Sequence, residues 1–297
     1  MRRPPDPTHG SNGPAPGAYH RSNVMKATVN GIELGYEVAG AGDPVVLIGG
    51  SGMPAAAWQF SQAPALLAAG YQVVTFASRG VAPSQAPPPP YTIAAMAADT
   101  AGLVEHLGLG PCRLVGASLG GFVAEELCRA RPELVRAAAL ISCAGRPTAF
   151  VRAKFAAERE LFAAGAVPFS HDLVDTLVHV LPHAVLRDDD AIVERWIAML
   201  GHQPGFWTSP DGRIGQHGAA WSWMLDEDRS TGWPLVTAPC LVVAFEHDLY
   251  FPPRIGREAA GAMADARFAE VSGAAHGGLF EKSPAINDLL TTFFDAC

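Results

Sequence analysis

Ser118, Asp248 and His276 could together perform nucleophilic catalysis, although they lie far apart in the sequence. A serine hydroxyl is a weak nucleophile near neutral pH, and it needs a base that takes its proton. That base, here a histidine, needs an acid that fixes its tautomer and stabilises its protonated form. The order serine, aspartate, histidine along the chain is the order expected for such a triad on a doubly wound sheet. These residues therefore predict covalent attack on a carbonyl carbon.

Ser118 lies at the centre of a Gly-x-Ser-x-Gly sequence that runs from Gly116 to Gly120. An apolar run over 112–115 precedes it, and apolar residues at helical spacing follow it. This pattern predicts a strand, a very tight turn and a helix, with the serine at the apex. Such a turn strains the serine backbone and lifts its hydroxyl clear of the sheet. Glycines are needed on both sides because a Cβ there would clash where strand and helix approach each other.

His276 lies in a glycine-rich loop, 272–278, directly after the last predicted strand. Its small neighbours let the imidazole reach across the ends of the strands. Histidines in the N-terminal segment, on helices and in the inserted region fit surface or packing roles better. Asp248 follows the predicted strand 240–245 and is the expected acid. Glu246 is the alternative, but it lies closer to the end of that strand.

Attack on a carbonyl also needs hydrogen-bond donors for the oxyanion that forms. We expect one donor to be the backbone N–H of Leu119, directly after the nucleophile. The second is expected from the glycine-rich loop 49–53, in which Ser51 or Gly52 is the candidate. A plain glycine turn is the alternative interpretation of this loop. It lacks the lysine and the spacing of a phosphate-binding P-loop.

Strands must position all of these residues, and the hydrophobic pattern predicts where they lie. Short apolar runs of strand length occupy 27–30, 33–38, 45–48, 72–77, 113–117, 137–142, 240–245 and 267–271. Helical patterns lie between them, among them 58–67, 92–107 and 285–294. Strands that alternate with helices indicate a mostly parallel sheet covered on both faces. We therefore predict an α/β fold with a doubly wound sheet of about eight strands.

One region, 146–232, shows no convincing strand pattern. Its apolar residues instead follow helical spacing, over 151–164, 172–181, 190–200 and 219–225. We interpret it as a helical cap inserted into a core domain made of 25–145 and 233–297. Residues 1–24 are rich in Pro, Gly, Ser and Asn without periodicity, which predicts a flexible tail.

The predicted cap contains several tryptophans that could line a pocket. Tryptophan binds large apolar ligands well, although packing of the cap onto the core is an equally simple use for these side chains. Together with the oxyanion loop and the loop after Asp248, they define a candidate substrate pocket. Its members are Gly50, Met53, Trp196, Trp207, Trp221, Trp223 and Tyr250. We expect a small-molecule substrate with a bulky, apolar acyl group.

Bulk properties exclude several classes of protein. The chain has 297 residues, 49% of them hydrophobic, and a net charge of −8 without a basic cluster, so nucleic acid is not expected as a partner. No apolar run is long enough to span a bilayer, and no secretory signal is evident, so we expect a cytoplasmic protein. The five cysteines show no metal-ligand spacing, and nothing in the sequence requires a metal or an organic cofactor. A monomer and a homodimer remain equally open.

Taken together, several segments resemble the α/β-hydrolase superfamily over about 25–297. They are Gly49-Gly50-Ser51-Gly52, Ser78-Arg79-Gly80-Val81-Ala82-Pro83-Ser84, Gly116-Ala117-Ser118-Leu119-Gly120-Gly121, Asp248 with Pro252-Pro253, and His276. The resemblance is to the capped group that holds small esterases, lactonases, cofactor-free haloperoxidase-like enzymes and meta-cleavage C–C hydrolases. It implies an α/β-hydrolase fold with an inserted cap and a serine nucleophile.

The chain departs from that family at two positions. Gly49 stands where members usually have histidine, which alters the support of the oxyanion loop, and Ser78 stands where they usually have aspartate. The elbow carries serine where epoxide hydrolases and haloalkane dehalogenases carry aspartate, so the resemblance disfavours those two chemistries.

Three hypotheses follow. The first is a serine hydrolase that cleaves an ester, thioester or lactone through an acyl-enzyme on Ser118. The second is a C–C bond hydrolase of the meta-cleavage type, because Gly50, Ser51 and Gly52 resemble the oxyanion loop of such enzymes. The third is a cyclase or ligand-binding protein that uses a hydrolase scaffold without hydrolysis. The abundance of Ala, Gly and Pro is typical of a GC-rich genome and suggests a role in specialised metabolism.

Overall fold

The computed structural model describes residues 24–165, 168–201 and 205–297. Its core is one sheet of eight strands in the order β1-β2-β4-β3-β5-β6-β7-β8. The strands are β1 Met25–Val29, β2 Ile32–Ala39, β3 Pro44–Ile48, β4 Gln72–Phe76, β5 Cys112–Ala117, β6 Val135–Ile141, β7 Cys240–Phe245 and β8 Ala266–Val271. From β4 to β8 all neighbours are parallel, and β1 and β2 add an antiparallel edge. The predicted fold class is confirmed.

Helices connect the strands and cover the sheet. Those of the core are α1 Gln62–Ala68, α2 Ile93–His106, α3 Leu119–Ala130, α9 Pro253–Ala262, α10 Gly278–Glu281 and α11 Ser283–Asp295. Among the described residues, five more α-helices lie between β6 and β7, and we call this segment the insert. They are α4 Ala149–Ala164, α5 Phe169–Val180, α6 His183–Asp188, α7 Asp190–Leu200 and α8 Pro210–Leu225. The flexible tail predicted for 1–24 lies outside the described residues, except for its last residue.

The β1–β2 hairpin turns at Asn30 and Gly31, whose φ angles are +46° and +77°. Two consecutive left-handed residues match the twist of the flanking strands, and Asn-Gly adopts them at low cost. The pairing Val29 with Ile32 fixes the register and turns the apolar side chains of both strands to the same face.

Alternation along each strand divides the core into two hydrophobic clusters, one on each face of the sheet. In β3, Val46 and Ile48 belong to the cluster under α2, α3 and α9. Val45 and Leu47 belong to the opposite cluster, under α1 and α11. Burying one such side chain contributes about 1.5–3 kcal/mol, so both faces of the sheet hold their helices firmly. The carboxyl ends of the strands are thereby held at one edge, where the candidate site lies.

The insert has a small cluster of its own and several contacts with the core. Leu177, Leu181, Trp196 and Leu200 are buried together between α5 and α7. A short antiparallel bridge joins Trp207 to Val81 of the core, and α8 packs against α2 and α3. Within the part of the chain that the structure describes, no helix is long and apolar enough to cross a membrane.

Candidate active site

Ser118 occupies the sharp turn between β5 and α3 and has a φ of +51°. Its backbone N–H donates to the carbonyl of Ile141 at 2.9 Å, which ties the turn to β6. A Cβ on Gly116 would lie 2.3 Å from the carbonyl oxygen of Gly120, and a Cβ on Gly120 would lie 2.0 Å from that of Ile48. Only glycine at these two positions lets strand and helix approach so closely. The strained serine is the outcome expected of such a turn.

His276 reaches Ser118 across the ends of the strands. Its Nε2 lies 3.0 Å from the Ser118 hydroxyl oxygen, which is hydrogen-bond distance for proton transfer. The loop that carries it is held by α5 of the insert. The His276 N–H donates to the carbonyl of His179 at 3.2 Å, and the next N–H, of Gly277, donates to that of Val180 at 2.9 Å. The insert therefore helps to fix the imidazole.

Asp248 lies on the other side of the imidazole, 2% exposed. Its Oδ2 is 2.9 Å from His276 Nδ1, and its Oδ1 accepts the backbone N–H groups of Tyr250 at 2.8 Å and Phe251 at 3.1 Å. The alternative acid, Glu246, is largely exposed and accepts the N–H of Gly273 in the loop before His276. The geometry therefore favours Asp248 over Glu246 as the partner of the histidine.

The Asp248 carboxyl stays ionised despite its burial. Burial alone would raise its pKa, but the charge of His276 and the hydrogen bonds from His276, Ser142 and Phe251 outweigh this effect and lower the pKa below its ordinary value. A carboxylate that remains charged can fix the Nδ1–H tautomer of the histidine and stabilise its protonated form.

Ser142 is a polar partner of this pair that the sequence did not predict. It is the first residue after β6, is 3% exposed and has a φ of +52°, which is rare for a residue other than glycine. Its hydroxyl donates to Asp248 Oδ2 and lies 2.9 Å from His276 Nδ1. Strained residues of this kind concentrate at functional sites. The only signal in the sequence is a serine at the carboxyl end of a buried strand.

The backbone around Ser118 offers two positions for an oxyanion hole. Leu119 begins α3, so its N–H is one of the first-turn donors without an acceptor inside the helix. The loop after β3 passes directly beside the nucleophile, since a Cβ on Gly50 would lie 3.5 Å from that of Ser118. Of the two loop donors expected, the N–H of Gly52 is engaged, because it donates to Gln216 Oε1 at 3.0 Å. Of the two alternatives, Ser51 is therefore the better candidate.

Two of the predicted pocket tryptophans pack structural elements together instead. Trp223 lies against Phe122, with the guanidinium of Arg229 5.4 Å from its ring centroid. Trp196 is 4% exposed and donates its indole N–H to Glu281 at 2.7 Å. Both rings pack where structural elements meet, and these contacts favour a packing role over a place in the pocket.

Three other predicted pocket residues, Trp207, Met53 and Tyr250, lie on the oxyanion loop or against His276. Trp207 covers the oxyanion loop, and a Cβ on Gly52 would lie 2.6 Å from its Cζ2 atom. Met53 closes that loop through its N–H, which donates to the carbonyl of Gly50 at 3.1 Å. The ring of Tyr250 meets the His276 ring edge-on at 5.4 Å and stacks on His179. Trp221 lies deeper in the insert and donates its indole N–H to Glu158.

A cavity of about 40 Å³ within the insert is lined mainly by charged side chains and histidines. It is lined by Lys154, Glu158, Leu161, His171, Asp172, Asp175, Arg213 and His217. The charges are paired: Lys154 Nζ lies 2.7 Å from both Glu158 and Asp175, and Arg213 lies 2.7 Å from Asp172.

Burial lowers the pKa of His217, on α8, to about 4. Its ring lies between those of Trp207 and Trp221, at 6.4 Å and 5.9 Å. The carboxylates of Glu158 and Asp172 partly oppose the shift, but they do not cancel it. The imidazole is therefore neutral throughout the range in which a free histidine titrates.

A comparison with known families decides where the chain belongs. A model described as the alpha/beta hydrolase family matches residues 45–288, which include Ser118, Asp248 and His276. The chain belongs to the alpha/beta hydrolase family. The matched segment begins at the second residue of β3 and ends within α11, so it includes the insert as well as most of the sheet.

Curated relatives and solved structures of this family agree. A Mycobacterium tuberculosis protein provisionally named non-heme bromoperoxidase BpoC is 37% identical over 264 residues, covering 89% of this chain and 98% of that protein. Its crystal structure has a TM-score of 0.81 at 35% identity, covering 94% and 98% of the two chains. The crystal structure of the enol-lactonase from Burkholderia xenovorans LB400 has a TM-score of 0.75 at 26% identity. The match covers 91% of this chain and 100% of the enol-lactonase.

A protein of Azorhizobium caulinodans provisionally named carbamate hydrolase RutD is 28% identical over 261 residues, covering 88% of this chain and 94% of that protein. The names of these relatives describe different reactions on one fold. Together with the family match they identify the chain as an enzyme with hydrolase activity on a small molecule.

Proposed function

We propose that this alpha/beta hydrolase is a serine hydrolase that cleaves esters, thioesters or lactones through an acyl-enzyme on Ser118. The observation that carries the proposal is the continuous hydrogen-bonded chain from Ser118 through His276 to Asp248, with distances of 3.0 and 2.9 Å. Such a chain activates a hydroxyl for attack on a carbonyl carbon and has little structural use at a strained turn.

In the first half of the reaction, His276 Nε2 takes the proton of Ser118 as the hydroxyl oxygen bonds to the substrate carbonyl. Asp248 holds the other ring nitrogen and stabilises the positive charge that the imidazole acquires. The oxyanion accepts hydrogen bonds from the N–H groups of Leu119 and Ser51. His276 then donates its proton to the leaving alcohol, thiol or lactone oxygen, and the acyl group remains on Ser118.

In the second half, His276 takes a proton from water as the water oxygen attacks the acyl carbon. The same two N–H groups stabilise the second oxyanion, and its collapse breaks the bond to Ser118. His276 returns the proton to the serine oxygen, and a carboxylic acid leaves. No group other than the described residues and water takes part in this cycle.

The substrate is proposed to place an apolar acyl group beside Trp207 and Met53, which flank the reacting carbonyl on the side of the oxyanion loop. We propose that the insert serves as the cap of the site, because α5 holds the His276 loop and the segment before α8 covers Gly52.

A kinetic burst tests this proposal. With a series of 4-nitrophenyl esters, the wild type is expected to release about one equivalent of nitrophenolate per active site before steady turnover. Ser118→Ala is expected to lose the burst and to lower kcat by roughly 10⁴-fold or more. Full activity of Ser118→Ala on an ester that the wild type hydrolyses would contradict the mechanism.

A second candidate is peroxide-dependent halide oxidation, which the provisional name of the 37% identical relative favours. Hydrogen peroxide in place of water would attack the same acyl-enzyme and release a peroxy acid, which oxidises bromide. Bromination of a phenol-type indicator that needs an added carboxylic acid, peroxide and Ser118 would support it.

The two remaining hypotheses predict different outcomes of the same substrate screen. Turnover of a ring-fission dienone faster than of any ester would favour the C–C hydrolase. Binding of ligands by a folded protein that hydrolyses no ester would favour the cyclase or ligand-binding protein.

A further inference from the structure

Gln216, on α8 of the insert, is completely buried, with 0% of its surface exposed. Both ends of its amide are used, and both reach the core. The Nε2 atom donates to the carbonyl of Arg79 at 2.8 Å, and the Oε1 atom accepts the N–H of Gly52 at 3.0 Å. One side chain of the insert thus joins the loop after β4 to the glycine-rich loop after β3.

The geometry of the glycine-rich loop explains why this contact matters. A hydrogen bond from Met53 N–H to Gly50 carbonyl closes a tight turn whose two central residues are Ser51 and Gly52. Gly52 is buried and has a φ of +66°. A buried N–H without an acceptor is costly, so the loop is most stable in the orientation that directs the Gly52 N–H to Gln216. Because the turn is short, this orientation also fixes where the N–H of Ser51 points.

The surrounding contacts leave the loop little freedom while the insert is in place. Trp207 lies directly over Gly52, as the 2.6 Å approach of a built Cβ shows. Beside it, a Cβ on Gly80 would lie 2.6 Å from the Cα of Gly212, so the backbones of core and insert touch there. Arg79, whose carbonyl accepts from Gln216, is itself fixed by a buried ion pair with Asp99 at 2.6 Å. Gln216 is therefore held between two rigid loops.

We propose that Gln216 is a positioning residue through which the insert holds the oxyanion loop in its working orientation. The inference rests on the proposed function, since it assigns the Ser51 N–H to the oxyanion. Gln216 touches neither the substrate nor the triad, and it acts through Gly52. Its loss therefore lowers the rate of the chemical step while substrate binding stays nearly unchanged, because the oxyanion forms only after binding.

Three variants separate this role from ordinary packing. Gln216→Met removes both hydrogen bonds at a similar side-chain length, and Gln216→Glu keeps an oxygen that accepts the Gly52 N–H. Thr208→Val is the matched control, because the Thr208 hydroxyl also joins the insert to the core, but its hydrogen bond goes to the carbonyl of Ser84, at 2.7 Å, and not to the oxyanion loop.

Two measurements are made on each full-length variant: hydrogen exchange of the Gly52 amide by mass spectrometry with fragmentation, and kcat and KM for a 4-nitrophenyl ester. For Gln216→Met we expect exchange at Gly52 about tenfold faster or more. We also expect kcat about 10- to 100-fold lower with KM within about threefold of the wild type. Gln216→Glu is expected to show both effects in weaker form. Thr208→Val is expected to show neither of them.

Unchanged exchange at Gly52 in a folded Gln216→Met protein would overturn the proposal, and so would faster exchange with an unchanged kcat. The exchange measurement does not depend on catalysis. A wild type that hydrolyses no ester would therefore refute the proposed function, while the exchange data would still decide whether Gln216 holds the loop.

Discussion

Ser142 donates its hydroxyl to Asp248 Oδ2, the same oxygen that accepts from His276 Nδ1. With two backbone N–H groups on Oδ1, the buried carboxylate has four hydrogen bonds from donors on three different segments. A carboxylate held in this way cannot rotate, so the orientation of the imidazole is fixed before substrate arrives.

The first prediction concerns the pH dependence of stability in Ser142→Ala. The hydroxyl favours the ionised form of Asp248, so its loss raises the pKa of that carboxyl towards the ordinary value. A lowered pKa contributes stability at pH values above the unfolded-state pKa, and this is lost as the pH falls through the folded-state pKa. We expect the free energy of unfolding of the wild type to exceed that of Ser142→Ala by about 1–3 kcal/mol at pH 7. This gap should close as the pH falls.

Urea unfolding between pH 7 and pH 2 measures this gap, because the folded-state pKa of Asp248 lies below its ordinary value of 3.8. Ser142→Gly is the control, because glycine also lacks the hydroxyl but relieves the positive φ. Its curve should run parallel to that of Ser142→Ala with a constant offset. A gap that is independent of pH in both variants would show that Ser142 does not act on the ionisation of Asp248.

The second prediction distinguishes the two candidate acids. Asp248→Asn is expected to lower kcat by roughly 10³–10⁴-fold, because the amide cannot stabilise the protonated imidazole and favours the wrong tautomer. Glu246→Gln, two residues away on the same loop, should change kcat little, since glutamine keeps an oxygen that can accept the N–H of Gly273. Steady-state hydrolysis of one ester by both variants gives the result. The reverse ranking would reassign the acid.

The third prediction follows from the pKa of about 4 of His217. The pKa of this histidine in the unfolded chain is about 6.5. At a pH below that value, the unfolded chain takes up a proton that the folded protein does not. The free energy of unfolding therefore falls as the pH drops from about 6.5 to 4, by at most about 1.4 kcal/mol per pH unit from this residue. His217→Phe should lack this component of the slope.

Unfolding curves from pH 7 to pH 4 for wild type and His217→Phe test it. His183→Gln, which removes an exposed histidine at the start of α6, controls for the loss of a titrating group as such. Identical slopes for wild type and His217→Phe would mean that the imidazole takes up its proton in the folded protein as readily as in the unfolded chain.

The fourth prediction concerns the anchor at the end of the insert. Arg229 donates to both carboxylate oxygens of Glu125, at 3.2 and 2.6 Å, and the two residues are 4% and 0% exposed. Glu125→Leu leaves a buried guanidinium without its partner and is expected to cost about 3–5 kcal/mol. The double variant with Arg229→Met removes both charges and should recover a substantial part of that loss.

Equilibrium unfolding in urea compares the single and double variants. Arg187→Gln breaks an exposed pair with Asp188 and serves as a control for removing an ion pair. A double variant less stable than Glu125→Leu alone would indicate that Arg229 stabilises the insert through the carbonyls of Cys143 and Gly145 rather than through Glu125.

Much of the fold could be predicted from the sequence because its strands are short apolar runs with clear turn signals. The eight predicted segments all correspond to strands. The Gly-x-Ser-x-Gly turn was also predictable, since its glycines are required by a local clash. A turn of this kind depends on residues that are neighbours in the sequence, so a local pattern predicts it.

The insert was harder to predict. The helix α6 was missed because it has only six residues, too few for a periodic pattern. The helix α8 begins at Pro210, nine residues earlier than predicted, because glycines in its first half weaken the helical signal. The tryptophans of the insert could not be divided into packing and pocket residues from the sequence, because the division depends on how the helices dock onto the core.

The partners of the site come from long-range contacts that no local pattern carries. Gln216 is 164 residues from Gly52, and Ser142 is 106 residues from Asp248. Neither pair has a characteristic spacing, because the tertiary packing of unrelated segments brings them together. The charged cavity of the insert could not be predicted either. Its charged residues come from three helices whose sequences are typical of solvated surfaces.

Intact-mass analysis after exposure to a fluorophosphonate tests the central claim most directly, because the probe reacts only with a serine activated as a nucleophile. We expect a single adduct on the wild type, located at Ser118, and none on Ser118→Ala or His276→Ala. No adduct on a folded wild type, or an equal adduct on Ser118→Ala, would contradict the proposal that His276 activates Ser118.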